Sequence, residues 1–374
     1  MSDNSIVTRT TFLSGLILAF LVWISIPVFS HHETSETQLE EQVQHGENTA
    51  EESFNAGDMI IEHITDAYEW HIITLGEKHI SLPLPVILYD RGEWLVFSSS
   101  HFHHGDYLGY TISDVGALKG KIVRKDEAGI EVRPDLDISF TKNVLALFIS
   151  LIILMVVFIS VANSYKKNRG HAPKGLQSFI EPIIVFVRDD IAKASIGEKK
   201  YEKYLPFLLT IFFFILINNV MGIIPIFPGG ANLTGNIAVT SVLAVFTFVI
   251  TTLSGNKNYW THIINAPGVP WWLKIPIPLM PIVELMGVFT KPFVLMVRLF
   301  ANITAGHIII LGFISLIFIF GEMSQGLGYG VSIVSVGFSI FMDFLELLVA
   351  FIQAYVFTLL SALYFGMATE ESHH

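Results

Sequence analysis

The stretch Glu284-Leu-Met-Gly-Val-Phe-Thr-Lys291-Pro-Phe-Val-Leu-Met-Val-Arg298-Leu-Phe-Ala-Asn302-Ile-Thr-Ala-Gly-His307 decides the fold. It lies in a long apolar segment, Ile275 to Phe320, that reads as membrane helix. A charge at the bilayer centre costs about 2.5–3.5 kcal/mol on insertion scales. Four ionisable residues here therefore need a purpose. Glu284, Lys291, Arg298, Asn302 and Ala305 follow at steps of seven, seven, four and three, so they share one helical face. His307 comes nine residues after Arg298, about half a turn out of phase. One face carries a polar ladder ending in a fixed cation. Another carries a side chain whose ordinary titration lies near neutral pH.

The rest of the composition agrees with a membrane protein. Of 374 residues, 52% are hydrophobic and 15% charged, and several apolar runs exceed the roughly 20 residues a helix needs to span a bilayer. The absence of cysteine excludes disulfides, thiolate metal sites and cysteine nucleophiles. The net charge of −11 is uneven: residues 31–140 carry −14 and the remainder +3. An acidic water-facing module is joined to a slightly basic membrane module, a balance that does not suggest nucleic-acid binding.

Four regions follow. Residues 1–30 carry Arg9 and an apolar run from Phe12 to Phe29, which resembles a cleavable secretory signal, with an uncleaved signal anchor as the alternative. Residues 31–57 are rich in Glu, Gln and His and are expected to be a disordered linker. Residues 58–140 open with a short helical pattern. Strand-like pieces follow near Trp70–Leu75, His79–Leu82, Val86–Tyr89, Trp94–Ser98, Tyr107–Ile112, Lys121–Arg124 and Ile130–Val132, predicting a small β-rich external domain. Its run His101-Phe-His103-His104 has metal-ligand chemistry but no cysteine neighbour, and reads as an exposed or packing loop, with no metal. Residues 141–374 form the membrane domain.

That domain predicts about five crossings: Lys142–Asn163, Tyr204–Ile224, Ile237–Leu253, Ile275–Phe320 and Val331–Met367. Leu176–Lys203 between the first two reads as an amphipathic interfacial helix. Ser254 to Lys274 reads as a connection, and Gly321–Gly330 as an external turn. The cationic Tyr165-Lys-Lys-Asn-Arg169 after the first crossing places that loop in the cytoplasm, the N-terminal domain in the periplasm and the C-terminus in the cytoplasm. The last two segments are an antiparallel pair, long enough to require tilt. Prolines 276, 278 and 281 suit an irregular start, and Pro292 a bend.

This topology assigns depths. Glu284 precedes Arg298 by fourteen residues, about 21 Å on the cytoplasmic side, and His307 follows it by about 13 Å on the outer side. The last helix runs the other way and carries Asp343, Glu346 and Gln353. Antiparallel pairing can set Gln353 at the depth of Arg298 and Glu346 near His307, where a His–Glu couple is satisfiable. Asn302, Gln353 and Asp343 taken singly also suit structural interhelical bonds, and Lys291 can snorkel towards the cytoplasmic interface. Titratable groups on either side of a permanent cation are what a discontinuous proton path requires.

Arg298-Leu-Phe-Ala-Asn302-Ile-Thr-Ala-Gly-His307 resembles the Arg-Leu-Phe-x-Asn-x-x-Ala-Gly signature of subunit a of F-type ATP synthases. Gln353-Ala-Tyr-Val-Phe-Thr-Leu-Leu-Ser-Ala-Leu-Tyr-Phe is similar to that subunit's final helix. Asn219-Val-Met-Gly-Ile-Ile-Pro225 and Thr234-Gly-Asn-Ile-Ala-Val-Thr240 resemble its second and third spans. The likeness covers about residues 140–370, and the acidic domain resembles the extension of the Bacteroidetes-type branch.

The resemblance implies a proton-translocating stator subunit of the Fo sector in the bacterial inner membrane. It implies partnership with the c-ring and with subunit b of the peripheral stalk. Arg298 would face the c-ring carboxylate, Glu284 would serve the cytoplasmic half-channel, and His307 and Glu346 the outer one. Asn219, Asn302 and Gln353 would line the path. Some relatives place the outer pair as Glu then His; here the order is reversed. Gly222 stands where some relatives carry Asp, leaving Asn218, Asn219 and His307 as candidates for the inlet. No GxxxxGK[ST] motif occurs, so nucleotide chemistry belongs to other subunits, and neither enzymatic activity nor a cofactor is expected of this chain. A stand-alone secondary transporter or ion channel is the alternative; an internal repeat with paired broken helices would mark a transporter, and none is found.

Overall fold

The computed structural model describes residues 54–75, 78–114, 116–126, 129–167, 171–224, 227–264 and 279–370. The signal-like residues 1–30, the linker as far as residue 53, and Pro276 and Pro278 lie outside them.

The described chain opens with α1 (Ala56–Ile64), which starts inside the stretch expected to be linker. Asn55 is the reason: its side chain accepts from the Gly57 and Asp58 amides and satisfies two donors that a helix start leaves free. Eight strands follow: β1 (Glu69–Leu75), β2 (Lys78–Pro83), β3 (Pro85–Asp90), β4 (Glu93–Ser98), β5 (Tyr110–Ile112), β6 (Ile122–Lys125), β7 (Glu131–Val132) and β8 (Leu136–Asp137). They form three small antiparallel sheets, ordered β1-β2, β4-β3-β8 and β5-β6-β7. Arg91 and Gly92 both have positive φ, as the two-residue turn joining β3 to β4 requires.

Alternation along β3 sends Val86 and Leu88 into a core shared with Tyr68, Tyr110 and Ile122. Two buried carboxylates tie this core together. Asp137 accepts from Tyr68 Oη at 2.6 Å; Asp90 accepts from Tyr110 Oη at 2.6 Å and pairs with Arg124 Nε at 2.7 Å. Strand β8 escapes sequence reading because it is two residues long and half of it is this buried aspartate.

Among the described residues, five helices are long and apolar enough to cross a membrane. They are α2 (Lys142–Lys167), α4 (Tyr201–Ile223), α5 (Ile237–Ser254), α7 (Leu279–Met323) and α8 (Gln325–Thr369). Between α2 and α4, the expected interfacial segment is α3 (Leu176–Phe186), continuing through a π-turn at Val187–Lys193 into a short turn at Ala194–Ile196. The connection expected after α5 contains a further helix, α6 (Lys257–Ile264), with its apolar side chains Tyr259, Trp260 and Ile263 among polar ones. Pro292 lies inside α7 without ending it.

Helix α4 carries several of the largest buried side chains of the bundle. Phe212, Phe213, Phe214 and Ile215 are all buried, and each fully buried apolar side chain contributes about 1.5–3 kcal/mol. The last two helices have 45 residues each. At about 1.5 Å per residue, each is about twice as long as the roughly 30 Å hydrocarbon core.

The turn expected over Gly321–Gly330 is much shorter. Helix α7 runs to Met323, α8 starts at Gln325, and Ser324 alone separates them. Gly328 and Gly321 serve packing instead. A Cβ at Gly328 would stand 2.9 Å from Gly321 Cα, so the two backbones touch there.

The β-rich extension sits on the end of the bundle where α7 meets α8. The Phe54 amide donates to Glu322 Oε1 at 2.7 Å, and its ring meets Phe318 at 5.0 Å between centroids. Asp66 Oδ1 accepts from the Asn143 amide at 3.0 Å, and Lys142 Nζ donates to the His63 carbonyl at 3.3 Å. Trp70, on β1, is buried in a cluster with Ala146 of α2 and Ala231 of the α4–α5 link. At the opposite end, Lys200 Nζ donates to the Thr369 carbonyl at 2.8 Å and Asn256 Nδ2 to that of Glu370 at 2.6 Å.

Candidate functional site

Helix α7 has two unlike faces. Leu295, Leu299 and Ile303 are buried against the bundle. Arg298 and Asn302 fall on the other side and are exposed, among Phe293, Val294 and Val297. Among the described residues, no ion pair or hydrogen bond engages Arg298. A guanidinium carries five donors and does not release its proton in proteins. Presented on an apolar surface, it calls for an anion.

Towards the extension, helical phase turns His307 away from that surface. Its Nδ1 lies 2.5 Å from Glu346 Oε1 and 3.2 Å from the Ile303 carbonyl, and its Nε2 lies 3.4 Å from the Gly222 carbonyl. Both ring nitrogens therefore face oxygen acceptors. A neutral imidazole donates from one nitrogen and an imidazolium from both, so a proton exchanged with Glu346 changes which of these bonds is made. Glu346 is only 4% exposed, which leaves His307 as its charge partner. Gly306 makes room for it: a Cβ there would stand 3.0 Å from Glu346 Oε1.

Asn219 belongs to the same neighbourhood. Its Nδ2 donates to the Ala350 carbonyl at 3.3 Å, one turn beyond Glu346, and its Oδ1 accepts from Thr234 Oγ1 at 2.6 Å. The neighbouring Asn218 is buried and donates to the Phe214 carbonyl at 2.8 Å. Asp343 is half-buried, one turn before Glu346. Gln353 is buried on the same face of α8. The expected match in depth between Gln353 and Arg298 is not accompanied by a bond between them among the described residues.

Towards the other end, Glu284 is half-buried on α7, and Tyr259 of α6 lies within its field. Burial first, then the Glu284 charge, push the Tyr259 phenol up. Lys291 does not reach free into solvent: its Nζ sits over the Tyr364 ring, 5.6 Å from the centroid. Tyr259, Lys291 and Tyr364 border a shallow cleft between α5, α6, α7 and α8, lined also by Thr247, Thr251 and Pro292. Helix α6 and Tyr259 were not singled out from sequence, because an eight-residue helix with polar neighbours carries little periodic signal.

The histidine run of the extension is a short 3₁₀ helix, Ser99–His104. His103 Nε2 pairs with Glu69 Oε1 at 2.9 Å, while His101 Nδ1 lies 2.9 Å from the Ser98 carbonyl and its ring meets Tyr107, tilted, at 4.2 Å between centroids. These two take separate partners, and no metal-holding cluster is present among the described residues.

Residues 144–366, most of the chain and all the side chains above from Asn219 to Gln353, match the family described as ATP synthase A chain. The chain belongs to the ATP synthase subunit a family. Residues 59–144 match a family described only as a domain of unknown function. ATP synthase subunit a of Chloroherpeton thalassium is 46% identical over 244 residues, 64% of this chain and 69% of that protein. ATP synthase subunit a 2 of Prosthecochloris aestuarii is 43% identical over 280 residues, 73% of this chain and 82% of that protein. ATP synthase subunit a of Anaeromyxobacter sp. is 36% identical over 349 residues, 90% of this chain and 76% of that protein. As a member of the subunit a family with five long apolar helices, the chain is a multi-pass membrane protein of the bacterial inner membrane.

Proposed function

We propose that this chain is the proton-conducting stator of a rotary ATP synthase, with two offset half-channels divided by Arg298. The observation that carries this is the exposed Arg298, without a carboxylate partner among the described residues, on a helix that carries Glu284 to one side of it and His307, paired with Glu346, to the other. The extension is periplasmic and the C-terminus cytoplasmic, as the cationic loop after α2 favours. Protons enter near Asn219, pass His307 and Glu346, and neutralise a carboxylate on the c-ring. The neutral carboxyl then turns into lipid at little electrostatic cost. After nearly a full rotation it meets the path served by Glu284 and releases its proton to the cytoplasm. Arg298 pairs with the ionised carboxylate between the two paths and blocks a direct leak. Asn302 and Gln353 line that divide. Subunit b of the peripheral stalk holds the chain against the torque, and a potential of 100 mV supplies about 2.3 kcal/mol per charge. The chain itself does no covalent chemistry.

In vesicles containing the whole complex, Arg298→Ala is expected to abolish ATP-driven proton pumping while the detached catalytic sector still hydrolyses ATP. Pumping at the normal rate would overturn the assignment.

A further inference from the structure

We infer that the extension is a working part of the proton inlet, and that Trp70 is a positioning residue for the His307–Glu346 pair. The inference rests on reading that pair as a proton relay. Trp70 comes from β1 and is 2% exposed, yet what it packs against belongs to the bundle: Ala146, Ala231 and the edge of Phe227, whose ring lies at 5.1 Å. Phe227 and Ala231 belong to the α4–α5 link, which touches the relay in two ways.

The first is through backbone. The Ala231 carbonyl would stand 3.6 Å from a Cβ at Gly222, so the link lies directly against that residue. The carbonyl of Gly222 is the oxygen that faces His307 Nε2 at 3.4 Å. The second is through side chains. Three residues after Ala231, Thr234 Oγ1 donates to Asn219, and Asn219 donates to the Ala350 carbonyl one turn beyond Glu346. One link thus backs the histidine through Gly222 and holds the glutamate's helix through Asn219. Trp70 presses on its other side. A second grip, Phe54 on Glu322 and Phe318, fixes α7 beyond His307.

This geometry separates positioning from mere stability. The aromatic core of α4 packs without the extension. Loss of Trp70 therefore leaves the bundle formed but frees the link. The acceptor opposite His307 Nε2 moves, and with it the ease of moving a proton onto or off the ring.

The test uses the whole complex in vesicles, with ATP-driven pumping measured against pH on the extension side. Trp70→Ala should pump about fivefold more slowly, the size of effect expected for one lost aromatic edge contact. Its pH profile should be displaced, with the amount of assembled complex unchanged, and Trp70→Phe should restore both rate and profile. Phe227→Leu changes a side chain already 40% exposed and decides the matter if Trp70→Ala fails to assemble; it too should displace the profile. His307→Ala is measured alongside. Normal pumping by His307→Ala would remove the relay reading itself. If His307→Ala stops pumping while Phe227→Leu and any assembled Trp70→Ala keep the wild-type pH profile, the relay stands and the positioning role of the extension is overturned.

Discussion

His307 Nδ1 and Glu346 Oε1 stand 2.5 Å apart on two helices that meet at Ser324. Removing one partner of a buried charge pair leaves the other uncompensated, at a cost of about 3–5 kcal/mol. His307→Ala and Glu346→Ala should each cut pumping more than tenfold. Exchanging the two residues together keeps the couple and should retain more activity than either single change. Measurement of pumping with a pH-sensitive dye in vesicles decides this; two single variants that pump normally would remove both residues from the path.

The glycines around the pair make opposite demands. A methyl group at Gly306 would press on Glu346 Oε1, and overpacking of this kind costs about 1–3 kcal/mol. Gly306→Ala should therefore lower pumping and shift its pH profile. At Gly222 a Cβ would meet the His307 ring at an ordinary 3.8 Å. Gly222→Asp should assemble and place a second carboxylate beside the histidine, with activity within a few-fold of the parent. An inactive Gly222→Asp complex at normal abundance would contradict this geometry.

The extension should have an alkaline limit. Burial first, and then the hydrogen bond to Asp90, push the Tyr110 phenol up to about 12. Tyr68 is pushed up still further, by burial and by Asp137. A group raised on folding stabilises the fold fully below its unfolded value, near 10 for tyrosine. That contribution is lost as pH rises through the folded value. The Tyr110 contribution should hold to about pH 10 and be lost between about 10 and 12, and the Tyr68 contribution should persist to higher pH. Tyrosinate absorbance of the full chain checks this: Asp90→Asn should bring one late transition earlier, and an unchanged titration would contradict the Tyr110–Asp90 coupling.

The membrane part was readable in sequence because bilayers penalise both polarity and brevity. Five crossings stood out as apolar runs, and the polar residues within them were few enough to be paired by depth. The His307–Glu346 contact follows from antiparallel running and 1.5 Å per residue. Three features were hidden for physical reasons. The turn at Ser324 was masked by glycines that read as loop but pack helix against helix. Helix α6 is short and mixed in polarity. The contacts of Trp70 with the α4–α5 link join residues far apart in the chain, and a buried tryptophan carries no mark of which segment buries it. Arg298 is the reverse case: its exposure was legible only as cost, because the anion it calls for is not among the described residues.

The single-residue turn at Ser324 also fixes phase. Two rods joined so tightly, with Gly321 against Gly328 at the joint, cannot slide along one another. His307 lies sixteen residues before Met323 and Glu346 twenty-one after Gln325, so their meeting is set by counting from a common origin. One residue added within α8 just after this joint would turn the rest of α8 by about 100° and advance it by about 1.5 Å. Glu346 would then face away from the histidine. The joint between Gly321 and Gly328 is thus a gauge for the whole hairpin, and it sets the register of every pair further along.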